Sequence, residues 1–105
     1  YIHVLDLADA HVKAAEYIAK NKESLTVNLV LGKGYSNLEI IKDVEKVTGN
    51  EMKIEYEERR WGDPDAIYAD NTKAKELLNW IPQFMTPESI IQTAWSWHQK
   101  HPDGY

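Results

Sequence analysis

Two adjacent arginines, Arg59 and Arg60, stand beside a tryptophan and before a Gly-Asp-Pro turn in the stretch ERRWGDPD. A guanidinium group presents a planar set of donors that fits a phosphate at two points. Asp63, whose backbone is restricted by Pro64, could accept a hydrogen bond from a ribose hydroxyl. These residue types allow a nucleotide clamp. A charged surface loop, in which the arginines pair with nearby acids, is the commoner explanation of such a pattern.

Other chemically active side chains do not form a familiar constellation. The turn at Gly32-Lys33-Gly34 lacks the third glycine of a dinucleotide fingerprint and the spacing of a P-loop, so we interpret it as a tight turn. His98 and His101 could meet a metal on one helix face, but no third ligand is near, and we predict no metal site. His11 falls on the apolar face of the first helix and is predicted to be a core histidine. No catalytic residue is predicted within the chain.

Composition narrows the classes of partner. The 105 residues carry 12 basic and 17 acidic side chains, a net charge of -5 that opposes binding to nucleic acid. The absence of cysteine excludes disulfides and thiolate metal sites. No apolar run approaches the roughly 18 residues of a membrane span. We expect a soluble, cytoplasmic protein.

Periodicity predicts an α/β fold with the element order α-β-α-β-α-α. Helical spacing of apolar residues runs from about Asp6 to Lys20. The apolar, β-branched stretch 25–32 predicts a strand covered on both faces, and the alternating stretch 53–58 predicts a second, half-exposed strand. The residues predicted to bound the other helices are Ser36 with Glu39 and Gly49, Asp70 or Asn71 with Asn79, and Thr86 with Pro87.

The first residues, which include Tyr1, Ile2 and Val4, are apolar where a free terminus is usually polar. We therefore expect residues 1–105 to be a single portion of a longer protein. An apolar face without its partner should associate with another surface. We expect self-association, with exchange of the first helix or the first strand as one route.

Four stretches carry a family resemblance: YIHVLDLADAHVKA, NLVLGKGYSNLEIIKDVEKVTG, RRWGDPDAIYADNTKAKELLNW and AWSWHQKHPDGY. With them, almost the whole chain resembles the C-terminal portion of the UDP-glucose 4-epimerase family of extended short-chain dehydrogenases. The resemblance implies a UDP-sugar-binding lobe of a Rossmann-like, homodimeric isomerase that interconverts UDP-galactose and UDP-glucose by NAD-mediated oxidation and reduction at C4. It also implies that the catalytic residues and the NAD-binding turn belong to an N-terminal lobe, so this chain alone should be inactive.

Four substrate-binding residues follow from the resemblance by position. Arg60 would contact the pyrophosphate and Asp63 the ribose, while Tyr1 would line the nucleotide. Ile67 occupies the gate at the sugar end, where a bulky aromatic is associated with refusing N-acetylated sugars and a small residue with accepting them. Isoleucine lies between these sizes and leaves that specificity open. Arg59 is expected to be structural.

Two alternatives remain. Another sugar-nucleotide decarboxylase, dehydratase or epimerase of the same superfamily would share the first two stretches. A stand-alone interaction module could instead use Arg59, Arg60 and Trp61 to dock an acidic protein segment. Trp61 also departs from the family, which often carries proline or a small or charged residue there, so the shape of the substrate loop is open.

Overall fold

The computed structural model describes residues 1–104 and contains four helices. They are α1 (Val4–Asn21), α2 (Asn37–Thr48), α3 (Thr72–Leu78) and α4 (Pro87–Lys100). No strand occurs within these described residues. The predicted α/β fold is therefore wrong, because the structure of this chain is all-helical.

The two predicted strands, 25–32 and 53–58, fail because neither has a partner. Of the hydrogen bonds between two backbone groups that residues 1–104 make outside the helices, none involves either stretch. A strand exists only through its ladder of bonds to a neighbour, so β propensity without a partner does not produce one. The first stretch still packs on one side, since Leu25, Val27 and Leu29 contact the core while the residues between them are exposed. It was predicted to be covered on both faces.

The core lies where α1 packs against α3. Its buried residues are Ala10, Ala74, Leu78 and Trp80, and the partly buried residues around them are Ile2, Ala14, Tyr17, Leu25, Val27 and Leu29. Small residues at the helix crossing allow close approach, while Trp80 has the largest fully buried side chain. Such a core is small for 105 residues.

A second helix pair, α2 against α4, is joined by an ion pair in which Lys46 Nζ lies 2.9 Å from Glu88 Oε2. His3 connects α1 to α4. Its Nδ1 accepts from the backbone amide of Leu5 at 3.0 Å, which leaves the proton on Nε2 to be donated to Thr93 Oγ1 at 2.8 Å. The ring stacks on Phe84 with the centroids 3.7 Å apart.

The local signals for helix ends are confirmed. Ser36 and Glu39 form the predicted capping box, and Gly49 ends α2 in the left-handed conformation, with φ of 71°. The remaining confirmed signals are Asp70, whose carboxylate accepts from the Thr72 amide, Asn79 in the left-handed conformation, and Thr86 followed by Pro87. Helix α1 begins two residues earlier than predicted because the His3 side chain caps it.

The chain exposes an unusually large surface. Its accessible area is 8528 Å², whereas a compact monomer of this mass exposes about 6000 Å². The radius of gyration is 16.9 Å, compared with about 13 Å for a compact domain of this length. Within residues 1–104, no helix combines the length and the apolar character needed to cross a bilayer.

Candidate functional site

Two adjoining cavities lie between the turn that precedes α2 and the segment that precedes α3. The smaller, of about 100 Å³, is lined by residues that include Tyr1, Lys33 and Ile67. The larger, of about 380 Å³, is lined by residues that include Asn37 and Ile67. The walls that both share are Gly34, Tyr35, Ile67 and Tyr68. Together they form one concave surface, of which Ile67 is a shared wall.

The turn at 30–34 is held in place by the buried side chain of Asn71. Asn71 Nδ2 donates to the backbone oxygen of Val30 at 2.7 Å. Gly32 has φ of 80°, and a Cβ there would lie 3.1 Å from the Asn71 amide group. A side chain at this position is therefore disfavoured by both the backbone conformation and the space. The tight turn predicted at Gly32-Lys33-Gly34 exists for this reason.

A hydrogen bond joins two of the cavity walls. The Tyr1 hydroxyl donates to Asn37 Oδ1 at 3.1 Å, although the two residues are 36 positions apart. Asn37 is the first residue of α2, directly after the cap formed by Ser36. The helix start thus fixes one side of the bond.

The arginine loop forms its own network of ion pairs. Arg60 Nε lies 3.0 Å from Asp63 Oδ2, and the Arg59 guanidinium pairs with the Asp65 carboxylate. Arg59 Nε also donates to the backbone oxygen of Asp63 at 3.1 Å, which closes the loop. Trp61 is fully exposed. The four charged side chains neutralise one another in pairs.

The structure brings together two of the four predicted substrate-binding residues. Tyr1 and Ile67 line the same cavity. Arg60 and Asp63 line neither of the two cavities and instead bind each other. Asn37 also lines the cavity surface and was not predicted, because only its position after a capping box marks it in the sequence.

The predicted core histidine is wrong. His11 is exposed, and its Nδ1 lies 2.7 Å from the backbone oxygen of Leu7 in the preceding turn of α1. The buried histidine is His3, which the apolar pattern did not reveal. Among the described side chains, no cluster of three acidic or histidine residues could hold a metal ion.

The start of α2 does not fit a dinucleotide. A pyrophosphate at a helix N-terminus needs free backbone amides. Here the Glu39 carboxylate accepts from the Ser36 amide and hydroxyl, both at 2.8 Å. These bonds, with Lys33 and Lys42 nearby, lower the pKa of Glu39 and keep a negative charge at the place that a phosphate would occupy. The residues of this turn therefore do not favour the pyrophosphate of NAD.

Comparison with known proteins gives the site its context. No protein-family model matches the chain. The UDP-glucose 4-epimerase of Streptococcus mutans is 46% identical over 105 residues, which is 100% of this chain and 32% of that protein. A crystal structure of UDP-glucose 4-epimerase superimposes with a TM-score of 0.92 at 44% identity, covering 100% of this chain and 32% of the other.

A second solved structure is the UDP-glucose 4-epimerase of Stenotrophomonas maltophila with bound NAD and formylated UDP-arabinopyranose. It matches with a TM-score of 0.88 at 33% identity, over 97% of this chain and 30% of that one. These relatives place the chain among the homologues of sugar-nucleotide epimerases. More particularly, it is homologous to UDP-glucose 4-epimerase, as its resemblance predicted, and it spans about one third of the length of the curated relatives it matches.

Proposed function

We propose that this chain is the UDP-sugar-binding portion of a UDP-glucose 4-epimerase that interconverts UDP-galactose and UDP-glucose. The observation that carries the proposal is the 46% identity to such an enzyme over all 105 residues. The cavity surface around Ile67 supports it, because a concave surface with a few polar groups is the usual form of a small-molecule site.

In this proposal the chain binds and orients the substrate. Tyr1 lines the nucleotide, Arg60 contacts the pyrophosphate and Asp63 the ribose. The side chains of Arg60 and Asp63 are 86% and 43% exposed, so their ion pair is screened by water and can exchange for ligand contacts at little cost. Ile67, between the two cavities, meets the sugar end.

The chemistry at C4 is assigned to parts of the enzyme outside these 105 residues. NAD supplies oxidation and reduction of the sugar when bound, and a relative of known structure holds NAD. In this proposal, no side chain of the 105 residues takes part in proton transfer. We expect the full-length protein to be a homodimer, and the cytoplasmic location expected from the sequence stays a prediction.

The choice of sugar is the finer part of the proposal. The relative with formylated UDP-arabinopyranose shows that one epimerase of this kind accommodates a sugar other than glucose or galactose. Another sugar-nucleotide enzyme of the same superfamily is therefore the nearest alternative. A module that docks acidic peptides is less well supported, because the identity to an epimerase extends over all 105 residues of the chain.

The test is an assay of the full-length protein that carries this chain, with UDP-galactose as substrate and formation of UDP-glucose as the readout. Conversion is expected. Turnover of only a UDP-uronic acid or a deoxythymidine sugar would overturn the proposal in favour of a related enzyme. The 105-residue chain, assayed alone with added NAD, should not convert UDP-galactose. If it did, the assignment of the chemistry to the rest of the enzyme would be wrong.

A further inference from the structure

We propose that Asn37 is a positioning residue of the sugar-nucleotide site, which sets the orientation of Tyr1. The inference rests on the proposed function and adds a residue to it. Its starting point is the hydrogen bond from the Tyr1 hydroxyl to Asn37 Oδ1, 3.1 Å long and formed between residues distant in sequence.

Packing alone does not fix the Tyr1 ring. Tyr1 is 57% exposed, so more than half of its surface meets no other residue of the chain. A side chain with that much freedom populates several rotamers unless a polar contact selects one. The hydroxyl has one hydrogen-bond partner among residues 1–104, and that partner is Asn37. The orientation of the ring therefore depends on this bond.

Asn37 is well suited to be the fixed end of the bond. It is the first residue of α2, and the preceding Ser36 is held by two hydrogen bonds to the Glu39 carboxylate. This capping box fixes the backbone from which the Asn37 side chain projects. An amide oxygen on a helix start moves less than one on a loop.

The Tyr1–Asn37 bond also lies on the cavity surface that is proposed to bind the sugar nucleotide. Tyr1 lines the smaller cavity and Asn37 the larger, and both cavities are bounded by Ile67 and Tyr68. A ligand that extends along this surface from nucleotide to sugar would pass the Tyr1–Asn37 pair. An orientation of Tyr1 selected in advance reduces the entropy lost when the ligand binds.

The experiment is a double-mutant cycle in the full-length protein with Asn37→Ala, Tyr1→Phe and the double variant. The measured quantities are the dissociation constant for UDP and the KM and kcat for UDP-galactose. Each single variant should raise the dissociation constant and KM about fivefold, the value expected for one neutral hydrogen bond, with kcat unchanged. The double variant should bind UDP no more weakly than the weaker-binding of the two single variants, because the hydrogen bond can be lost only once.

Two further variants separate positioning from folding. Asn37→Gln keeps a neutral amide oxygen that can accept from the Tyr1 hydroxyl and should restore binding to within about twofold of wild type. Asn50→Ala removes an exposed asparagine beyond the other end of α2 and should leave binding unchanged. Additive effects in the cycle, or equal loss in Asn37→Gln and Asn37→Ala, would overturn the inference.

Failure of the proposed function gives a different result. A wild-type protein that binds no UDP and converts no UDP-galactose would remove both proposals. If the wild-type protein binds UDP and converts UDP-galactose, but the effects of the two substitutions are additive, only the role of Asn37 would be removed.

Discussion

The indole nitrogen of Trp80 donates a hydrogen bond to the backbone oxygen of Asp6 at 2.9 Å, across 74 residues of the chain. The Asp6 carboxylate, itself buried, accepts from the backbone amides of Gln83 at 2.7 Å and Phe84 at 3.1 Å. One residue in the first turn of α1 thus anchors the whole segment between α3 and α4. A buried carboxylate satisfied by backbone amides cannot be removed without leaving those amides unpaired.

We therefore predict that Asp6→Ala destabilises the chain by about 3 kcal/mol, since it removes two charge-assisted bonds. Asp9→Ala is the matched control on the same helix, because Asp9 pairs with Lys13 at a partly exposed position. The control should cost no more than about 0.5 kcal/mol. Urea unfolding followed by circular dichroism measures both. Equal losses in the two variants would show that Asp6 does not anchor the segment.

Arg60→Ala should weaken binding without weakening the fold. A lost charge-assisted bond to pyrophosphate should raise the dissociation constant for UDP by about 10- to 100-fold in the full-length protein. The exposed ion pair with Asp63 should contribute less than about 1 kcal/mol to stability, so the unfolding midpoint should hardly move.

Lys53→Ala is the control for the Arg60 variant, since Lys53 is another exposed cation with an acidic neighbour, Glu55, at 3.8 Å. It should leave UDP binding unchanged. Titration calorimetry measures the affinity of both variants. An Arg60→Ala protein that binds UDP as wild type does would exclude a pyrophosphate contact for this residue.

The start of α2 should respond to acid. Hydrogen bonds from the backbone and hydroxyl of Ser36 lower the pKa of Glu39 below its ordinary value of 4.5. The unfolded chain therefore takes up the proton first as the pH falls. The stability that this contact provides is complete above pH 4.5 and is lost as the pH falls through the lower, folded pKa.

An NMR titration of the Glu39 side chain in the chain tests this directly. We expect a pKa below 4.5 in the wild type and a value nearer 4.5 in Ser36→Ala, which lacks the hydroxyl. The same variant should lose about 1 kcal/mol of stability through the missing cap. A Glu39 pKa at or above 4.5 in the wild type would contradict the capping-box account.

The structural features that could be predicted from the sequence are those that residues close together in the chain determine. The Ser36–Glu39 box and the glycine cap at Gly49 depend on residues within one or two helical turns. The prediction of a strand at 25–32 failed because a strand requires a distant partner, and a local sequence pattern does not indicate whether that partner is present. His11 was wrongly predicted to be the core histidine for a related reason, since the contacts of the buried His3 with Phe84 and Thr93 are nonlocal.

The residues of the candidate site also differ in whether the sequence could reveal them. Tyr1 and Ile67 were named through a family resemblance, and the structure places them on one cavity, although their contacts with a ligand stay a prediction. Asn37 escaped notice because its hydrogen bond joins residues 36 positions apart. Asn71 was expected only as a helix cap, yet its side chain holds the turn at Val30, a contact that spans 41 residues.

The surplus surface predicts that the 105-residue chain self-associates. The exposed apolar residues of α1 are Val4, Leu5, Val12 and Ile18. The accessible area of one chain, 8528 Å², exceeds the value of about 6000 Å² for a compact monomer by more than the roughly 800 Å² that each partner buries in a standard stable interface. A second copy of the chain can cover this face, and sedimentation velocity should show a mass that increases with concentration.

Val12→Glu places a charge in the middle of the exposed apolar face of α1 and should shift the equilibrium toward monomer, because burying an unpaired carboxylate is costly. Ser24→Glu adds the same charge at an exposed position outside α1 and should leave the association unchanged. A wild-type chain that stays monomeric at high concentration would contradict the prediction. Equal dissociation by both variants would show that net charge, rather than the α1 face, controls the association.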